Sequence, residues 1–215
     1  VWPGAGAALE QTAERVILVR GAERKVTAIV QLATAGDATR AVWLVPVPSQ
    51  PQLSLSSNVV FSRLEAMTAP QYWVEQAGTL ACRDTFQPSS ETTPSADSEP
   101  VANPTAALRS GSIGTYDYVD LTVESAQVDA QEVSAWLTRE GFELGAQDSE
   151  HLTPYLRDGW HLLAVKLNRD ANVHELRPLM LTFESGQLSL PLRPAARSAA
   201  NDMPLQLWVF GPTHA

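Results

Sequence analysis

One cysteine, Cys82, is all the thiol chemistry in 215 residues. No disulfide can close within the chain, and no cysteine-based metal cluster can form. Long apolar runs are missing too. Nothing approaches the roughly 18 consecutive apolar residues of a membrane span, so the chain is expected to carry no direct span and to behave as a soluble unit. Basic charge is scarce: 15 Lys and Arg against 24 Asp and Glu leave a net charge of -9 and a pI near 4.9. A nucleic-acid footprint needs clustered cations, and these are scattered, so no nucleic-acid partner is expected. The start Val1-Trp2-Pro3-Gly4 has no initiator Met and no charged stretch leading an apolar one, which fits a processed mature protein and a trimmed piece equally well.

Reaction motifs are absent as well. Cys82 has an Arg beside it in Leu80-Ala81-Cys82-Arg83-Asp84, a neighbour that can activate a thiol, but the local signature of thiol enzymes is missing. His174-Glu175 opens like a zinc-protease helix, yet Pro178 stands where the second His ligand, one turn on, is required. His151, His161 and His214 are isolated in sequence. Gly111-Ser112-Ile113-Gly114 resembles a phosphate loop, but no Lys follows and the next element reads as a strand. Asp117 and Asp120 read as the solvated face of that strand and not as an acid/base pair. No Gly-x-Ser-x-Gly, Asp-rich calcium loop or N-glycosylation acceptor occurs. No catalytic, cofactor-binding or metal residue is therefore assigned, and no cofactor is expected.

What the chain does have is 44% hydrophobic residues, enough for one domain spanning 1–215. Its centre is Ala41-Val42-Trp43-Leu44-Val45-Pro46-Val47-Pro48, whose continuous apolar run predicts a strand covered on both faces. Pro46 and Pro48 remove ladder donors, so pairing should stop there or lie at an edge. Glu14–Arg20 and Lys25–Thr34, joined by Gly21-Ala22-Glu23-Arg24, predict a hairpin with the Trp43 strand as a third antiparallel neighbour. Val1–Leu9 reads as a loosely held arm.

Ser57 or Asn58 caps a short helix whose stripe is Val59, Val60, Leu64 and Met67, ending at Pro70. Residues 87–110 contain almost no large apolar side chain, so this Ser/Pro/Thr-rich stretch is read as a flexible excursion. Thr115–Val123 alternates as a strand. Asp129 and Glu132 have capping-box spacing before Val133, Trp136 and Leu137, with Gly141 as the left-handed stop. A helix from Ser149 to Leu156 contains Pro154. Strands follow at Trp160–Leu167, Leu179–Phe183, Leu188–Leu192 and Leu205–Phe210, with a hairpin turn at Glu184-Ser185-Gly186-Gln187. About eight strands and two or three short helices predict an α+β fold with a mainly antiparallel sheet. Trp43, Trp136, Trp160 and Trp208 fall in core elements, whereas Trp2 and Trp73 lie outside them and are candidates for exposure.

Several short stretches carry a family resemblance: Gln11-Thr12-Ala13-Glu14-Arg15-Val16, Val42-Trp43-Leu44-Val45-Pro46-Val47-Pro48, Leu64-x-x-Met67-Thr68-Ala69-Pro70, Gly114-Thr115-Tyr116-Asp117 and Trp136-Leu137-x-x-Glu140-Gly141-Phe142. Leu162–Leu167, Leu176-Arg177-Pro178-Leu179 and Leu190-Pro191-Leu192-Arg193 continue it. In this order they resemble the bacterial family catalogued as domain of unknown function 2330, over Gln11 to Phe210. The resemblance implies an exported protein, periplasmic or on the cell surface and often membrane-tethered, and it carries over no catalytic residue. Where the family often opens with Cys-Gly-Gly and further cysteines, this chain has Val1-Trp2-Pro3-Gly4-Ala5-Gly6, which leaves a family disulfide to Cys82 without its counterpart. Arg177 is the one charged residue in the shared stretches to watch, and Glu175 or Glu184 is its expected ion-pair partner. The function expected is a non-catalytic interaction or scaffold module for a membrane-associated protein partner, such as an accessory subunit of a membrane complex. The alternatives are a Cys-dependent hydrolase or thiol enzyme, and a small-ligand or glycan binder using Trp2 or Trp73.

Overall fold

The computed structural model of the chain describes residues 1–4, 9–38, 41–70, 109–121, 130–142, 146–167 and 176–212. Trp2–Pro3 is β1, followed by the long hairpin of β2 (Leu9–Arg20) and β3 (Lys25–Gly36). β4 (Ala41–Val47) and β5 (Gln52–Leu55) lead to helix α1 (Asn58–Thr68). β6 (Arg109–Ile113) and β7 (Tyr116–Asp120) form a second hairpin, then come α2 (Ala130–Arg139) and α3 (Ala146–Arg157). β8 (His161–Leu167), β9 (Leu179–Glu184), a 3-10 helix at Arg193–Arg197 and β10 (Leu205–Phe210) complete the chain. The class is α+β with mainly antiparallel pairing, as the sequence predicts. The described residues hold ten strands in two five-stranded sheets, ordered β1-β4-β8-β7-β6 and β10-β2-β3-β9-β5.

The continuous apolar run of β4 has a direct structural cause. Val45 and Val47 face the β2-β3 sheet in one core, and Val42 and Leu44 face α2 and α3 in a second. A strand between two cores needs apolar residues on both faces, so alternation is lost. The same need takes β4 out of the hairpin's sheet: it pairs with β1 and β8 and is not the third neighbour of β2 and β3. Its ladder with β8 runs through Pro46 to Val47, while β1 covers only Ala41 and Val42. Pro46 thus lies where one side of the strand is an edge, as a missing donor demands.

Other sequence expectations are corrected too. The Val1–Leu9 arm is not loose where it is described: Trp2 opposes Val42 and is 0% exposed in the helix-side core. Among the described tryptophans only Trp2 is fully buried; Trp43 and Trp136, half-buried, do pack on the two cores as expected, and Trp160 and Trp208 are half-buried outside them. Leu188–Leu192 is not a strand. β9 is already flanked by β3 and β5, so no ladder position is left, and Leu188 and Leu190 pack on the inter-sheet core from an irregular segment. The excursion read as 87–110 ends earlier, because Arg109 and Ser110 already pair with Asp120 and Val119. Lastly, α1 buries Phe61 and not the expected stripe: Val59 and Met67 are exposed.

Local signals elsewhere hold. The Ser57 hydroxyl accepts from the Val59 N–H at 3.3 Å and caps α1. At the end of α2, Gly141 takes φ +86°, and the Phe142 N–H reaches the Leu137 carbonyl at 2.9 Å. Asp129 and the Glu132 side chain lie outside the described residues, as do Cys82, Trp73, His174, Glu175 and His214. α3 begins at Ala146, three residues before Ser149, and carries Pro154 internally.

Candidate functional site

Three features of the fold bear on function. The first is a carboxylate–imidazole pair. The antiparallel register of β7 and β8 sets Asp120 opposite Leu163, two residues from His161, so both side chains point between the sheets. His161 Nδ1 lies 3.2 and 3.4 Å from the two Asp120 oxygens, and Asp120 is 4% exposed. Asp120 is therefore an interior residue and not part of a solvated face, unlike Asp117, which accepts from the Ser112 hydroxyl at 2.6 Å on the surface. Asp–His geometry is what orients an imidazole in nucleophilic enzymes. Among the described residues, however, no hydroxyl hydrogen-bonds to His161, and no group of three His, Cys, Asp or Glu is placed to hold a metal ion.

The second is a cleft of about 370 Å³ between the sheets. Val30, Leu32 and Leu179 form one wall, and Trp43, Val165 and Leu167 the other. β3 and β9 supply the first, β4 and β8 the second, because each strand turns alternate residues inward. Polar groups gather at the rim. Gln31 Nε2 donates to Asn58 Oδ1 at 2.7 Å, and Asn58 Nδ2 donates to the Leu176 carbonyl at 3.3 Å. The Tyr116 hydroxyl donates to the Arg177 carbonyl at 2.8 Å, and burial pushes its pKa up to about 12, so it stays a neutral donor over the working range.

Arg177 completes this rim. Its Nε donates to the Ser56 carbonyl at 2.9 Å, not to Glu184 as expected from sequence; Glu175 lies outside the described residues. That single bond leaves both terminal guanidinium nitrogens unengaged by described protein groups. The lining also includes Lys166, which pairs with Glu140 at 3.6 Å, and among the described residues it contains no carboxylate. In a chain of net charge -9, that is a local reversal of sign.

The third is the free edge of β10. It pairs with β2 on one side, in parallel, and among the described residues it ends its sheet. The register places Leu205, Leu207 and Val209 beside Glu14, Val16 and Leu18, on the face turned toward the other sheet. That sheet does not reach them: the three are 38%, 46% and 55% exposed, and none joins the inter-sheet core. On the opposite face Trp208 packs edge-on against Phe61 of α1, with ring centroids 5.9 Å apart, and its Nε1 donates to Thr68 Oγ1 at 3.2 Å. The sequence predicts Leu205–Phe210 as a strand with Trp208 in the core; where the covering sheet ends has no local signal.

A family profile described as "Uncharacterized protein conserved in bacteria (DUF2330)" matches residues 3–213. No curated protein and no solved structure matches the chain.

Proposed function

The chain belongs to the DUF2330 family of bacterial proteins, and from that premise we propose that it is a non-catalytic envelope domain that docks a partner protein outside the cytoplasm. The observation that carries this is the β10 edge, where backbone groups that pair with no described strand and an exposed row of Leu205, Leu207 and Val209 lie together. Such an edge takes an added strand: main-chain bonds supply affinity, and alternate apolar side chains supply specificity. The occupant is an extended segment of a membrane-associated protein with apolar residues at every second position. Because the domain carries -9, basic residues flanking that segment speed the encounter, and added salt slows it. The export pattern that the family resemblance implies supports a setting for this docking in the periplasm or on the cell surface.

A photo-cross-linking amino acid at position 207 in the full-length protein, in intact cells, tests the proposal. One envelope protein should be trapped, and Leu207→Glu with Val209→Glu should release it from solubilised membranes while leaving the melting temperature within a few degrees. No adduct at position 207, or a partner retained by the double variant, refutes docking at β10. The Asp120–His161 pair favours a second reading, a hydrolase or thiol enzyme. Labelling by a fluorophosphonate or iodoacetamide probe that His161→Gln abolishes would support that reading instead.

A further inference from the structure

We propose that the inter-sheet cleft binds a small amphipathic anion, an apolar body bearing one carboxylate, with Arg177 as the anchor for the charged end. About 370 Å³ lies within the range of small-molecule pockets, roughly 300–1,000 Å³, and the walls are aliphatic with one tryptophan face. A cavity lined only by apolar groups would select nothing about its ligand's charge. Among the described residues its lining holds two basic side chains, Arg177 and the Glu140-paired Lys166, and no carboxylate, against the sign of the whole chain. Arg177 is also held in place before any ligand arrives. Its carbonyl takes the Tyr116 hydroxyl at 2.8 Å, and its Nε is fixed on the Ser56 carbonyl at 2.9 Å; the planar terminal fork, engaged by no described protein group, can meet a carboxylate in bidentate fashion. A buried Gln31 Oε1, without a hydrogen-bond partner among the described residues, adds one acceptor to the same lining. β10 contributes no residue to the cleft, so this site and the docking edge stand or fall separately.

Decanoate is the probe, with decanol as the neutral control of the same chain length, titrated into the 215-residue protein by calorimetry and by NMR of the indole N–H signals. Decanoate should bind saturably and move the indole signal that Trp43→Phe removes. Arg177→Gln should weaken it about tenfold or more, since charge-assisted bonds are lost. Decanol should bind more weakly than decanoate and be indifferent to that change. Leu32→Trp, which fills the cleft, should abolish binding. Because Leu32 also packs on the core, Thr34→Trp at the rim repeats the block should Leu32→Trp melt early. No saturable binding, full affinity in both Arg177→Gln and the filled variants, or decanol binding as tightly as decanoate would overturn the proposal.

Discussion

Phe61→Ala tests how α1 and β10 hold each other. Phe61 is the one buried residue of α1; Trp208 meets its ring edge-on at 5.9 Å, and the Arg15 guanidinium lies over it at 5.4 Å. Truncating a buried Phe to Ala costs roughly 3–5 kcal/mol, lost transfer energy and an unfilled cavity together. Within that sum the aromatic pair accounts for about 0.5–1.5 kcal/mol and the partly exposed Arg15 contact for about 0.5–1 kcal/mol. The Arg15–Glu65 ion pair at 3.0 Å outlives the substitution but is half in water, so it supplies under about 1 kcal/mol. In a chain of this length each kcal/mol moves the melting temperature by about 2–4 °C, which gives a drop of about 6–20 °C.

Circular dichroism melts measure that drop, and amide exchange locates it. Among the described strands β10 is attached along one side only, so its amides should lose protection before those of β3. Met67→Ala is the internal control: at 79% exposure it should change stability by under about 0.5 kcal/mol, although sequence periodicity assigns Met67 to the buried stripe. If the two variants melted within about 2 °C of each other, or if β10 exchange were unaltered in Phe61→Ala, this account of α1 would be refuted.

Burial raises the Glu14 carboxyl pKa above its ordinary 4.5, outweighing the hydrogen bond from Gln11 that lowers it. The folded state therefore holds the proton more tightly than the unfolded chain, and this group's contribution to stability is complete below pH 4.5 and is lost as pH rises through the raised folded value. Glu14→Gln keeps an acceptor for Gln11 and should melt above the parent at pH 7, with the gap closing below pH 4.5; an equal gap at both would contradict the assignment. Gly114 turns the β6–β7 hairpin at φ +55°, and a Cβ there would sit 2.5 Å from Leu55 Cδ1. Gly114→Ala should cost about 1–2 kcal/mol from the left-handed backbone alone, read by urea unfolding, and a loss under about 0.5 kcal/mol would mean the turn is not held in this shape.

Much of the fold was legible because it is written locally. The Ser57 cap, the Val133 and Leu137 stripe, the Gly141 stop and the β2–β3 hairpin each follow from residues within a few positions of one another, where backbone donors and side-chain period leave little choice. Even the double cover of β4 was visible, since unbroken apolarity has few other causes. The candidate sites were not legible. Asp120 and His161 lie 41 residues apart and meet only because β7 pairs with β8, while Arg177 meets Ser56 across 121 residues.

Sequence alone determined β2 to β4, β7 to β10 and the three α-helices, though not β1, β5 or β6, and it excluded a long apolar span and an intrachain disulfide. Tertiary structure alone decided which sheet each strand joins, that Trp2 is buried and Met67 is not, and that Leu207 and Val209 lie bare on a core-facing surface. The reason is that an alternating strand announces two unlike faces, but what covers each face, and where that cover stops, is set by chain segments far away in sequence.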